Sequence, residues 1–374
     1  MKLKRILIIS TAVAVVILLV VSSAYSLNWA QILSTVTPQG MTQSWIAGNE
    51  QAWNTSDVYP LVFSVFFPGI SYGNVAKLYN TEAVLNAELG MLLQTGANAI
   101  TIHLDYSAWL QNNTQLIGEY DHYIKGLEAN GTTVVIGDAS AQSYRSEKQS
   151  WSQFQSEWIQ RVETLAARYH PAYYVVIKEP DWYFSMLSDY PWNPAIFSAN
   201  QWVTLTQNLI SAVKSVSPQT RVGVSVSASV YNDKTDLDIN FLKQVIRLPG
   251  LDFIGFDIYG TNGFEDTLQF LQQNGSDGKS VWIAEAWSST ATHAFDSSKA
   301  SLDANWIRLL YYFALKIHAQ GISPFFTDAL ASYGPRPQDQ VQLLSYYQNR
   351  TPVFYALKNI ISTNLVGEKP NETS

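Results

Sequence analysis

The chain has no cysteine, which excludes disulfides, thiolate metal sites and a cysteine nucleophile. Positive charge is also scarce. Lys and Arg number 23 against 30 Asp and Glu, for a net charge of −7. The clustered cations that grip a phosphate backbone are therefore missing, and no nucleic-acid partner is expected. Histidine occurs as His103, His122, His170, His293 and His318 alone. None stands in an H-x-H or H-E-x-x-H spacing, so no zinc centre is expected. There is no G-x-S-x-G elbow and no Gly-rich turn following a strand. Neither a serine hydrolase nor a nucleotide cofactor is indicated, and no cofactor is expected.

What is present is an ordinary globular composition over 374 residues, 47% hydrophobic and 14% charged, with ample apolar material for a core. Aromatics are plentiful, at 12 Trp and 21 Tyr, which serves a core and also suits stacking on flat sugar faces. At the N-terminus Lys2, Lys4 and Arg5 precede an apolar run over 6–21, broken only by Ser10 and Thr11. Small residues Ser22, Ser23 and Ala24 follow, so residues 1–26 read as a signal peptide or a membrane anchor. Either reading places the body of the chain outside the cytoplasm, secreted or anchored to the outer face of the membrane. N-x-S/T sequons at Asn54, Asn112, Asn130, Asn274, Asn349 and Asn371 agree with a glycoprotein.

Residues 27–58 read as a lead-in segment, with a helix covering the barrel bottom. From residue 59 a rhythm begins. Strand-like runs over 61–67, 99–104, 132–137, 173–178, 221–226, 252–256, 281–284 and 321–326 alternate with helical patterns over 81–93, 117–127, 151–169, 201–216, 236–246, 264–271 and 302–318. A closing helix over 339–362 carries Pro352 as a kink, and 366–374 is a flexible tail. Eight βα units without an internal linker predict an α/β protein built as one (β/α)₈ TIM barrel over 59–365. A doubly wound open sheet is the alternative.

Two stretches carry the chemistry. Tyr173-Tyr174-Val175-Val176-Ile177-Lys178-Glu179-Pro180-Asp181-Trp182-Tyr183 is a buried strand ending in a carboxylate. Pro180 disfavours helical geometry at Glu179, so an extended strand end is expected there. Ser280-Val281-Trp282-Ile283-Ala284-Glu285-Ala286-Trp287-Ser288 repeats the pattern. In (β/α)₈ barrels the active site lies at the C-terminal strand ends. Those tips offer His103 and Asp105, Asp138, Glu179, Asp257 and Tyr259, Glu285, and Thr327 and Asp328, in strand order. Carboxylates sharing one mouth repel, which raises some of their pKa values and keeps a general acid protonated. Two glutamates facing across such a mouth suit glycosidic-bond hydrolysis, which in retaining enzymes needs carboxyls about 5–5.5 Å apart. His103 and Asp105 serve as sugar contacts or as a structural hydrogen-bonded pair. Asp138, Asp257 and Asp328 are subsite contacts or solvated loop starts. Trp109, Trp182 and Trp287 are stacking platforms or rim packing.

On these residues the chain resembles the clan-A glycoside hydrolases, in particular the family 5-type endo-glycanases. The resemblance rests on Lys178-Glu179-Pro180, where the clan shows Asn-Glu-Pro, and on Ile283-Ala284-Glu285. It implies Glu179 as acid/base, Glu285 as nucleophile, and Tyr259 as the hydroxyl that hydrogen-bonds the nucleophile. Lys178 departs from the clan's asparagine, which contacts the sugar 2-hydroxyl. Phe325 and Phe326 stand where a tryptophan often floors the subsite. The expectation is a retaining, endo-acting β-glycosidase on an extracellular poly- or oligosaccharide. A catalytically inactive carbohydrate-binding barrel and a metal-dependent barrel hydrolase are the alternatives.

Overall fold

The computed structural model describes residues 43–54, 58–137, 148–227, 237–288, 300–324, 327–334 and 336–365. The leader 1–26, Asp138, His293, Phe325, Phe326, the tail 366–374 and the side chain of Trp182 lie outside the described residues. Within them, a closed barrel of eight parallel strands runs in sequence order. The strands are β1 (Val62–Phe66), β2 (Ala99–His103), β3 (Thr133–Gly137), β4 (Tyr173–Lys178), β5 (Arg221–Ser227), β6 (Phe253–Tyr259), β7 (Ser280–Trp287) and β8 (Ala319–Pro324). The intervening helices are α2 (Glu82–Leu93), α3 (Ser107–Leu110), α4 (Thr114–Ala129), α5 (Trp151–Tyr169), α6 (Ala199–Val216), α7 (Leu237–Val245), α8 (Asn262–Asn274) and α9 (Ala300–Lys316). A leading α1 (Gln43–Trp53) and closing α10 (Gln340–Tyr346) and α11 (Pro352–Leu365) complete the chain.

The strands are near-continuous apolar runs because helices cover their outer faces while the lumen fills with side chains. The lower lumen is plugged by Tyr173, Phe253 and Trp282, whose ring centroids lie 4.6–5.9 Å apart. Gly321 makes room for that plug: a Cβ there would come within 2.6 Å of the Trp282 ring. Above the plug the lumen turns small and polar, with Ser64 Oγ and Thr101 Oγ1 2.5 Å apart. Above that layer stands the mouth.

Three expectations are corrected. The lead-in helix α1 does not cap the barrel bottom. It packs along α9 in the outer layer, with Trp53 against Phe264 and Phe313 and Glu50 accepting from Arg308 at 2.7 Å. The closing segment is two helices rather than one kinked helix, because Pro352 has no N–H to continue a helix and instead opens α11 at its first residue. β8 begins at Ala319, two residues earlier than its apolar pattern suggested.

Candidate active site

The mouth is shaped by an irregularity in β4. Val175 pairs with Gly223 and Ile177 with Val224, leaving Val176 outside the ladder. Its carbonyl accepts instead from the indole N–H of Trp158 on α5, at 2.9 Å. The extra residue reverses the alternation of the strand, so Val175 and Lys178, three apart, both line the lumen. Glu179 follows directly. It is not extended, as Pro180 suggested, but left-handed at φ 45° and ψ 82°. Proline removes the right-handed helical option and the chain takes a strained one. The Glu179 N–H is satisfied by donating to the Ser225 carbonyl at 2.8 Å.

Across the mouth, Glu285 on β7 is 5% exposed. Both of its oxygens are acceptors. The Lys178 ammonium donates to Oε1, and the Tyr259 hydroxyl donates to Oε2 at 2.6 Å. Asp257 stands opposite Glu285 in the β6–β7 register and accepts from Ser225 Oγ at 3.1 Å. Like charges facing each other on neighbouring strands disfavour double ionisation.

The surroundings raise two of the acids. Burial raises Glu179 to about 7, with Glu285 and Asp181 adding to the rise and Lys178 opposing it. Burial, then Glu285 and Glu179, raise Asp257 well above the usual carboxylate range. Burial works against the Lys178 ammonium, but Glu285, Tyr72, Asp257 and Glu179 outweigh it and hold the charge on. His103 is pushed well down by burial, Lys178 and Arg161, so its imidazole is neutral at pH 7. Its Nδ1 lies 2.5 Å from the Tyr72 hydroxyl, and its ring packs over Gly137, where any Cβ would collide with it. Beneath the Lys178–Glu285 pair lies a cavity of about 20 Å³, walled by Thr101, His103, Ser225 and Ser323 among others. It has room for one water.

The structure thus brings Lys178, Glu179, Tyr259, Glu285 and His103 to one place. Other expected site residues go elsewhere. Asp105 does not pair with His103; its Oδ1 accepts from Ser107 N at 2.9 Å and starts α3. Trp109 stacks on Tyr106 and Tyr120 and meets the edge of Tyr169, so it is a packing residue rather than a sugar platform. Trp287 is 4% exposed, within the apolar core. Asp328 joins a buried group behind the β1 and β8 loops, where burial raises its carboxyl and Arg336 opposes the rise. On the loop after β4, Trp192 is 86% exposed, and Tyr190 and Phe197 pack with Phe184; Tyr355 on α11 is a further exposed aromatic.

The sequence reading missed Tyr72 and Ser225. Tyr72 has a positive φ of 53°, and the adjacent Gly73 was the available sign of a turn there. Among the described residues no group of three or more His, Asp or Glu is placed to hold a metal ion, and no helix is long and apolar enough to cross a membrane.

No family model matches the sequence, and no curated protein does. Solved structures do resemble it. Native xylanase 10B from Thermotoga maritima aligns over 86% of this chain and 98% of its own, at 12% identity and TM-score 0.51. A glucosidase from Croceicoccus marinus aligns over 82% and 68%, at 13% identity and TM-score 0.51. The GH39 enzyme from Xanthomonas axonopodis pv. citri aligns over 83% and 67%, at 16% identity and TM-score 0.50. What is shared is the fold.

Proposed function

We propose that the chain is a retaining clan-A glycoside hydrolase that cleaves β-glycosidic bonds in a poly- or oligosaccharide. The observation that carries this reading is the unlike setting of two glutamates on opposite sides of one barrel mouth. Glu179 is raised to about 7 and so holds a proton for a leaving oxygen. Glu285 offers two acceptor oxygens, each already met by a donor, the setting of an ionised nucleophile. In the first step a Glu285 oxygen attacks the anomeric carbon. The glycosidic C–O bond breaks, and the departing oxygen takes the Glu179 proton. In the second, water attacks the same carbon, the ester to Glu285 breaks, and Glu179 recovers a proton from the water.

The barrel shared with a xylanase and a glucosidase supports this reading as likeness of fold. The exposed aromatics after β4 suit a glycan chain running past the scissile bond, and hence endo action. The reading of residues 1–26 as a leader and the sequons support a substrate outside the cytoplasm, with the enzyme secreted or held at the membrane by residues 6–21.

The test is hydrolysis of a β-linked glycan panel by the chain lacking residues 1–26, beside Glu179→Gln and Glu285→Gln. Turnover lost in both variants is expected. Azide should rescue Glu285→Gly with an inverted glycosyl azide product. Turnover that survives both substitutions would sink the assignment. Glycan binding without turnover by the unsubstituted chain would favour the inactive-barrel alternative.

A further inference from the structure

The double displacement moves negative charge from one side of the mouth to the other. Before reaction Glu179 carries a proton, Glu285 is a carboxylate and Lys178 is an ammonium, so these three groups sum to zero. In the covalent intermediate Glu285 has become a neutral ester and Glu179, having given its proton away, is the carboxylate. The sum is again zero, but the negative charge has changed place. A largely buried ammonium left beside a neutral ester, with a half-buried carboxylate lacking a counter-ion, would be costly in both positions.

Lys178 is placed to follow the charge. It contacts Glu285 and is the chain neighbour of Glu179. The bulge at Val176 turns it into the lumen, and its side chain keeps 16% exposure. Its four-carbon stem pivots easily. Resting on the proposed retaining mechanism, we infer that Lys178 is a moving counter-ion: paired with Glu285 in the free enzyme, it transfers to Glu179 when the glycosyl-enzyme forms and returns when it hydrolyses. It is a positioning residue, acting through the two glutamates rather than on the sugar. The groups facing the pair are Asp257 and Tyr259 from β6, Tyr72 and His103 from the β1 loop and β2, and Asp181 beyond Glu179.

A stationary lysine and a moving one differ in a measurable way. A fixed charge lowers the Glu179 pKa by the same amount in the free enzyme and in the intermediate. Its removal shifts both values together. A lysine that moves acts more strongly in the intermediate, because only there does it pair with Glu179 directly. An opposite charge at contact distance favours ionisation by roughly 1–3 pH units.

The experiment measures two limbs in the full chain and in Lys178→Met, Lys178→Gln and Lys178→Arg, each checked for an intact thermal transition. The alkaline limb of kcat/KM reports Glu179 in the free enzyme. The acidic limb of deglycosylation, measured with a dinitrophenyl glycoside that needs no acid for departure, reports Glu179 in the intermediate. The expected result is a gap between the limbs that narrows by about one pH unit or more in Lys178→Met and Lys178→Gln and reopens in Lys178→Arg. An unchanged gap, with both limbs displaced together, overturns the moving counter-ion and leaves the glycosidase reading standing. If intact mass after acid quench shows no glycosyl adduct on Glu285 with any reactive glycoside, both fall together.

Discussion

Replacing Glu88 by alanine should destabilise the fold strongly, although Glu88 touches nothing catalytic. Glu88 sits on α2 at 1% exposure. Its Oε1 accepts from Gly69 N at 3.1 Å and its Oε2 from Arg336 at 3.3 Å. Arg336 also donates to Asn80 Oδ1 at 3.2 Å, and Asn80 in turn donates to the Asn74 carbonyl at 2.8 Å. These contacts hold the loop between β1 and α2, which carries Tyr72 to His103. Deleting one partner of a buried ion pair costs about 3–5 kcal/mol, chiefly through the charge left behind. At about 2–4 °C per kcal/mol for a large domain, Glu88→Ala should lower Tm by roughly 6 °C or more at pH 8. The added substitution Arg336→Met removes the stranded charge and should return much of that loss. Burial raises Glu88 itself to about 7, against the opposing pull of Arg336. Its folded pKa therefore lies above its unfolded one. The pairing with Arg336 remains at pH 8. The proton-linked part of its contribution is fully present below the unfolded value and is lost as pH rises through about 7. Between pH 5.5 and 8.5 that is about 2 kcal/mol, a slope that Glu88→Ala should lack. Thermal and urea unfolding at both pH values would measure all of this. A double variant no more stable than Glu88→Ala would refute the stranded-charge argument.

Three further outcomes are expected. The kcat/KM profile should fall on the alkaline side near pH 7 as Glu179 loses its proton, and that limb should vanish with an activated aryl glycoside that departs without protonation. Tyr259→Phe removes a hydrogen bond to a charged group, about 1.5–3 kcal/mol, so kcat/KM should drop roughly 10- to 150-fold, with the thermal transition little changed. Gly255→Ala would bring a Cβ within 2.7 Å of the Ala284 side chain and 2.9 Å of that of Ser225. Both neighbours are fixed to strands, so overpacking of about 1–3 kcal/mol should appear in urea unfolding.

The barrel was legible because parallel strands covered on both faces read as short apolar runs, and because eight of them alternate with amphipathic helices. The two glutamates were legible because each stands where such a run stops. What escaped depends on residues distant in sequence. Nothing near Val176 marks it as the residue left out of the ladder; that follows from the Trp158 indole on the preceding helix. Tyr72 reaches His103 through a loop whose path is held by Glu88 and Asn80. Trp109 has the look of a rim aromatic, yet Tyr106 and Tyr120 claim its ring. Asp328 falls in a short 3-10 helix after β8, and Arg336, later in the chain, comes close enough to oppose the rise of its buried carboxyl.

The omitted residue in β4 also has a meaning for how such a site can change over time. Along a regular strand the side chains that fill the barrel and those that line its mouth are locked in one phase. In β4 that phase is broken between Val175 and Ile177, and in β7 the register with β8 shifts between Ile283 and Ala286. In β4 the plug residue Tyr173 lies before the break and Lys178 and Glu179 beyond it; in β7 Trp282 sits at an earlier shift, next to Val281, and Glu285 within the later one. The chemistry of the mouth is thereby uncoupled from the packing of the plug. A substitution at 178 would leave the phase of Tyr173 in β4 unchanged, whereas losing a single residue at 176 would turn Lys178 out of the site.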